Sequence, residues 1–380
     1  MTGVRHDWMP DRHLGAAAAL AHADEIIGQI SDVLFDYQTV PDGLIGLKSV
    51  VDGDVVRAVV ESVKPIPRKL PLLVADALVV LRNAVEHTLF TEVEFRDGRL
   101  SNALARQVEM PAAKSREDFD NWVAAKGRKR PDSLHAGSDL VDRIDRLQPF
   151  HMGEDHPLHP LARLVLHTNH AKHREPAVTA VRIAASYADD SRPQSIDDVE
   201  KGPEVPLLVG DVIGDPTPVG ELAPITMFPN IGINRPLTDD WPELLTELRE
   251  IFDWVRCEAL PVLITGGDAA EPDLPCRYEI SLGHTDERAA IIEGSDVSAV
   301  TRHSRRLVAA NLRIDLAELI TQIDRIIGPE QVTRWFDHLS DDAVIEWSDL
   351  LAARAHLDPA TRERYIRRTL LKMRDAALEF

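Results

Sequence analysis

The chain is 380 residues long, 44% hydrophobic and 28% charged, the composition of a globular protein with room for two or three domains. A formal charge of −20 argues against whole-surface binding to nucleic acid, and no apolar run reaches the ~20 residues of a membrane span. Cys257 and Cys276 are too few for a disulfide framework or a cysteine-rich zinc site, and "MTGVRHDWMPDRHLG" carries no secretion signal, so a cytoplasmic protein is expected.

Leu20, Ala23, Ile27, Ile30, Leu34 and Tyr37 alternate spacings of three and four, which predicts an amphipathic helix over 14–37. "GLIGLKSVVDGDVVRAVVESV" follows with two β-rich runs around Asp52-Gly53, a hairpin pattern. Three prolines in "KPIPRKLP" punctuate the chain before a long helix, "VADALVVLRNAVEHTLF" at 74–90. A polar stretch with the basic loop "AAKGRKRPDS" leads to a short helix at 138–148, capped by Ser138, and then to "LARLVLHTNHAKHREP", closed by Pro176. From 177 the pattern turns to short β-type runs ("AVTAVRIAAS", "VPLLVGDVIG", "APITMFPNIGI", "CRYEISLG") around one helix at 241–256. From about 297 it is helical to the end.

The expected class is therefore α+β: a helical bundle with a small hairpin over 1–187, an acidic β-rich domain over 188–296, and a helical domain over 297–380. Charge follows this division. Residues 186–296 hold 24 Asp/Glu against 7 Lys/Arg, whereas 64–130 hold 13 Lys/Arg against 9 Asp/Glu. Anion binding belongs to the first half, and the acidic middle reads as a solvated surface or a protein-docking surface.

Helix 74–90 raises the functional question. At 100° per residue, Val74, Leu78, Leu81, Val85 and Leu89 form one core stripe, while Leu72, Val79 and Phe90 lie roughly opposite. A helix apolar on both sides is expected to be buried, against another helix or a second copy of the chain. Arg82, Asn83, Glu86 and His87 interrupt it. One reading is a self-satisfied belt, with Arg82 paired to Glu86 and Asn83 to His87 or a backbone group. The other is a phosphodiester-cleaving site, in which His87 moves a proton near neutral pH and Arg82 holds a phosphate by two parallel bonds.

Arg82-Asn83-x-x-x-His87 resembles the R-x4-6-H motif of the HEPN family, including the polar residue that often follows its Arg. The resemblance implies a helical bundle, a homodimer in which two motifs face one another, and a metal-independent ribonuclease of the kind found in toxin–antitoxin and antiphage systems. It further implies His87 as the proton-transfer residue, Arg82 as the phosphate contact and Asn83 as a supporting group. RNA is then the substrate, an antitoxin or defence-system protein a further partner, and no cofactor or metal is required. A broader likeness covers residues 14–190. "DALVVLRNAVEHTLF", "RIDRLQPF" and "HPLARLVLHTNHAKHREP" are similar to a group of bacterial proteins with "NLRSALDHL"-, "LQPY"- and "KHR"-like motifs, from which this chain departs at Asn83 and Glu86.

Six histidines (151, 156, 159, 167, 170 and 173) fall within 23 residues. "HMGEDHPLH" with Glu154 or Asp155 offers a metal reading, but its spacing matches no established site. "NHAKHRE" fits better as a partner of helix 74–90: Lys172, His173 and Arg174 add positive charge, Asn169 can bond His87 or Glu86, and Glu86 can answer His173 or Arg174. Lys126, Arg128, Lys129 and Arg130 form a loop suited to guiding RNA, or simply a solvated charge run. The rival to a nuclease is a non-catalytic HEPN-like interaction or assembly module.

Overall fold

The seam of Leu20, Ala23, Ile27, Ile30, Leu34 and Tyr37 is buried along one side of α1 (Leu14–Gln38). In the computed structural model, which describes residues 6–124, 129–188, 199, 201–221, 224–267, 271–323, 327–353 and 358–380, α1 packs along α2 (Lys69–Asp97). Helix α2 extends beyond the expected 74–90 at both ends. It stops at Gly98, whose φ of 80° few other residues adopt readily. The stripe Val74, Leu78, Leu81, Val85 and Leu89 is fully enclosed, each side chain contributing roughly 1.5–3 kcal/mol of burial. The opposite face is not enclosed. Leu72 is 52% exposed, Val79, Val80 and Phe90 are half-buried, and Asn83 and His87 are exposed. Among the described residues up to 300 no element encloses that face, so the expectation of burial by another helix of the same domain is corrected, while burial by a second copy of the chain is left open.

Between α1 and α2, β1 (Ile45–Asp52) and β2 (Val55–Val63) form the expected hairpin, turning at Gly53 with φ of 62°. Strand β4 (Val212–Pro218) joins the other edge of β2, giving an antiparallel order β1-β2-β4. A one-turn α3 (Asn102–Ala105), then α4 (Arg116–Ala124), α5 (Asp139–Arg146) and α6 (Pro160–His173) follow α2. Ser138 caps α5 by accepting the Leu140 N–H, and His159 Nδ1 accepts the Leu161 N–H at the start of α6. Strands β3 (Thr179–Ala188) and β5 (Ile225–Ile233) make a second, two-stranded antiparallel sheet.

From β5 the chain turns through 234–240 into α7 (Leu244–Trp254), which packs on α6 and α1. Five residues of wider π-type winding (Val255–Ala259) join α7 to α8 (Leu260–Thr265), which lies against α2 and α5. Residues 1–187 and 188–296 thus share one core, and together make up the first of two units, Met1–Val300. "CRYEISLG" forms no strand: only Arg277 bridges, to Ser295, ahead of the short α9 (Glu287–Ile292).

The second unit, Thr301–Phe380, contains most of α10 (Ala299–Ile323), with α11 (Pro329–His338), α12 (Asp341–Ala352) and α13 (Pro359–Glu379). Its separate core is built on Leu316, Ile320, Trp335, Phe336, Leu370 and Met373. The organisation is α+β, with helices carrying both cores and strands confined to small antiparallel sheets. Among the described residues no helix is long and apolar enough to cross a membrane.

Candidate functional site

Arg82 leaves α2 toward α6. Its side chain is only 13% exposed, and Nη1 donates to Thr168 Oγ1 and to Asn169 Oδ1, both at 2.8 Å. Thr168 in turn donates its hydroxyl to the Leu164 carbonyl at 2.7 Å, as a threonine one turn on readily does. Two carboxylates complete the surroundings: Glu86 Oε1 lies 3.6 Å from Nε, and Glu109 Oε1 lies 3.9 Å from Nη2. Glu86 also accepts the Met110 N–H at 3.0 Å. Burial pushes the Glu86 carboxyl above its ordinary value, and the Met110 N–H and the Arg82 charge only partly offset this. The expected i,i+4 pair of Arg82 and Glu86 is present. The expected Glu86 contacts to His173 or Arg174 are not formed, and Asn169 bonds Arg82 rather than His87 or Glu86. Only Thr168 and Asn169 of α6 reach α2 here, and both do so through the Arg82 guanidinium.

Asn83 and His87, one turn apart, are exposed, and among the described residues neither has a hydrogen-bond partner. The pairing of Asn83 with His87 is not made. Lys172, His173 and Arg174 are exposed at the C-terminal end of α6, where positive charge is favoured by the helix dipole. His170, His173 and Arg174 line a cavity of about 510 Å³ that Asn169, Lys114 and the turn at Pro236-Leu237 also border. Asn169 therefore touches both the cavity and Arg82.

The basic loop behaves differently from expectation. Lys126 and Arg128 lie outside the described residues. Lys129 is exposed, but Arg130 is buried: its guanidinium stacks over the Trp122 ring at 4.1 Å and donates to the Trp122 carbonyl. Cation–π contact and burial of the long stem consume Arg130 in packing, so it is not an RNA-guiding side chain.

The remaining histidines disperse. His151 bonds Asp145 at 2.9 Å, and His156 Nδ1 lies 3.1 Å from the Gly153 carbonyl. His159 caps α6 and meets Trp254 edge-on. His167 is buried and bonds Glu247 at 3.2 Å. Among the described residues no group of three or more His, Cys, Asp or Glu is placed to hold a metal ion.

Glu247, which sequence reasoning missed, is the most heavily bonded side chain near the site. Fully buried on α7, it takes Arg163 at 2.6 Å, His167 at 3.2 Å and Arg235 at 2.8 Å. Burial pushes this carboxyl up, but the hydrogen bonds from His167 and Arg235 and the Arg163 charge outweigh it and hold the group far below the ordinary carboxylate range. Two residues from α6 and one from the 234–240 turn thus meet on one charge, which fixes that turn against α6 and frames the cavity. A second such centre is Glu92 on α2, bonded to His13 at 2.7 Å and Arg12 at 2.8 Å. The detectable signal was Arg163 and His167, four apart within the apolar first half of α6, which demand a buried acid from elsewhere in the chain.

Compared with known proteins, the chain matches no family model, no curated protein and no solved structure.

Proposed function

We propose that this chain is a HEPN-like, metal-independent endoribonuclease that acts as a homodimer, as the effector of a toxin–antitoxin or antiphage system. The observation that carries the reading is His87, an exposed imidazole without a hydrogen-bond partner among the described residues, five positions after an arginine held firmly in place. In the proposed reaction the RNA 2′-OH attacks the adjacent phosphate, so the nucleophile belongs to the substrate. His87 moves the proton, Arg82 stabilises the charge that develops on phosphorus-bound oxygen, and Asn83 supplies a further donor. Five residues turn a helix by about 140°, so Arg82 and His87 of one chain diverge. A second copy laid on the open face of α2 would bring a facing His87, and would cover Leu72 and Val79 as well.

One observation favours the non-catalytic alternative, an interaction or assembly module. The Arg82 guanidinium already has Thr168, Asn169, Glu86 and Glu109 around it, which is enough to explain its presence as a structural tie between α2 and α6. The two readings differ in what RNA experiences. The nuclease is expected to cleave RNA in EDTA, to leave 2′,3′-cyclic phosphate ends, and to lose at least 100-fold in rate as His87→Ala, on the order of what a proton-transfer residue contributes. That variant should keep its stability within about 0.5 kcal/mol, because the side chain is exposed. Arg82→Ala should cost about 1–3 kcal/mol through its unsatisfied partners. Intact RNA with the wild-type protein, together with this same stability pattern, would establish the module.

A further inference from the structure

The cavity beside α6 has a lining at odds with the rest of the chain. The protein carries a net −20, yet the charged and titratable groups lining this cavity are Lys114, His156, His170, His173 and Arg174, with no aspartate or glutamate among its lining residues. Among the described residues, no carboxylate pairs with Lys114, His170, His173 or Arg174. The two fixed positive charges on this lining, Lys114 and Arg174, favour an anion that joins them. Apart from Asn169 the remaining wall is apolar, built largely from Ala162, Val165 and Leu166 on α6 and from Pro236 and Leu237 on the facing turn.

The turn is held in place at a cost. Leu237 has φ of 66°, a left-handed conformation that a branched side chain rarely adopts, and 77% of it is exposed. Hydrogen bonds from Asn234 to the Thr238 carbonyl and from Thr238 to the Arg235 carbonyl, with Arg235 locked to Glu247, keep it there. The cavity is thus a preformed space of about 510 Å³, inside the roughly 300–1,000 Å³ span of small-molecule sites. It combines an apolar wall with an uncompensated cationic group.

We propose that this cavity is a binding site for a small amphiphilic phosphomonoester, an apolar body carrying one phosphate. The apolar wall takes the body. Lys114, Arg174 and the imidazoles of His170 and His173 take the phosphate, whose three oxygens and charge of about −1.5 to −2 use more donors than a carboxylate can. The site does not depend on the ribonuclease reading, since His87 is not part of it.

Octyl phosphate titrated calorimetrically into the full-length protein should bind one per chain, at least tenfold tighter than octanol, inorganic phosphate, ethyl phosphate or octanoate. Lys114→Ala combined with Arg174→Ala, both at exposed positions, should weaken it at least tenfold without moving Tm. His87→Ala should leave it within twofold, so this site and the nuclease can fail separately. Three results would each overturn the proposal: no saturation by octyl phosphate at millimolar concentration, unchanged binding in the double variant, or octanoate binding as tightly. Uridine 5′-monophosphate binding more tightly than octyl phosphate would also overturn it, by assigning the cavity to a nucleotide instead.

Discussion

His159 stands where the chain enters α6, and its ring does two jobs, the first of which requires it to be neutral. Nδ1 accepts the Leu161 N–H at 3.1 Å, capping the helix, and the ring packs edge-on against Trp254. Burial, with the nearby charges of Arg163 and His151, lowers its pKa from 6.5 to about 4. The unfolded chain therefore binds a proton between about pH 6.5 and 4 that the folded chain refuses. Stability contributed by this group is fully present above pH 6.5 and is lost as pH falls toward 4, by on the order of 2–3 kcal/mol. Urea unfolding at pH 7 and pH 5 should show the loss, and His159→Asn, which keeps a capping oxygen, should reduce it by more than half. An undiminished pH slope in that variant would remove His159 as the cause. At this scale the sequence disclosed part of the candidate site. Arg82 and Glu86 could be paired by helical spacing alone, and the approach of the "NHAKHRE" segment to α2 was expected through Asn169, though with His87 or Glu86 as its partner rather than Arg82. What spacing could not give was direction: Asn169 turns to Arg82, Arg130 folds under Trp122, and Glu247 arrives from a segment more than seventy residues away in sequence.

Elements with a strong period were legible and those defined by their partners were not. The three-and-four seam of α1, the hairpin at Gly53, the Ser138 cap and the Pro176 stop carry their cause locally. "CRYEISLG" alternates like a strand, yet it stays irregular because no neighbouring strand offers more than the single Arg277–Ser295 bridge. Helix α8 was missed because its apolar run "LPVLIT" follows a π-type segment that breaks the 3.6-residue rhythm. The clamp between α6, α7 and the 234–240 turn makes the sharpest element-level prediction. Glu247→Gln keeps the shape and removes the buried charge, leaving Arg163 (side chain 4% exposed) with only the half-exposed Glu250, and Arg235 with only Asp240 at 3.9 Å. The expected cost is about 3–5 kcal/mol at pH 7, read as a fall in urea midpoint. Glu250, which also meets Arg163 but is 49% exposed, is the control: Glu250→Gln should cost no more than about 1 kcal/mol. Equal losses in the two variants would mean that burial is not what gives the clamp its strength.

Over the whole molecule, charge and packing are distributed unequally. The acidic stretch 186–296 contributes apolar faces on α7 and α8 to the same core as the N-terminal helices, while the last eighty residues keep a core of their own. That second core is closed by local devices. Ser340 and Asp358 cap α12 and α13 by accepting the Ala343 and Thr361 N–H groups, and Arg313 joins Asp341 at 2.9 Å and the Leu339 carbonyl at 2.9 Å. Trp335, 5% exposed, packs against Phe336 and Trp347, which provides a fluorescent report on that core. A chain of about eighty residues buries enough surface to fold alone, with only about 3–5 kcal/mol to spare. Residues 299–380 expressed by themselves should therefore be helical by far-UV circular dichroism. They should unfold in urea in one sigmoid that coincides with the shift in tryptophan emission, at a free energy near that range. A broad, non-coincident transition would show that the second core does not sustain itself, and that its helices depend on the first three hundred residues.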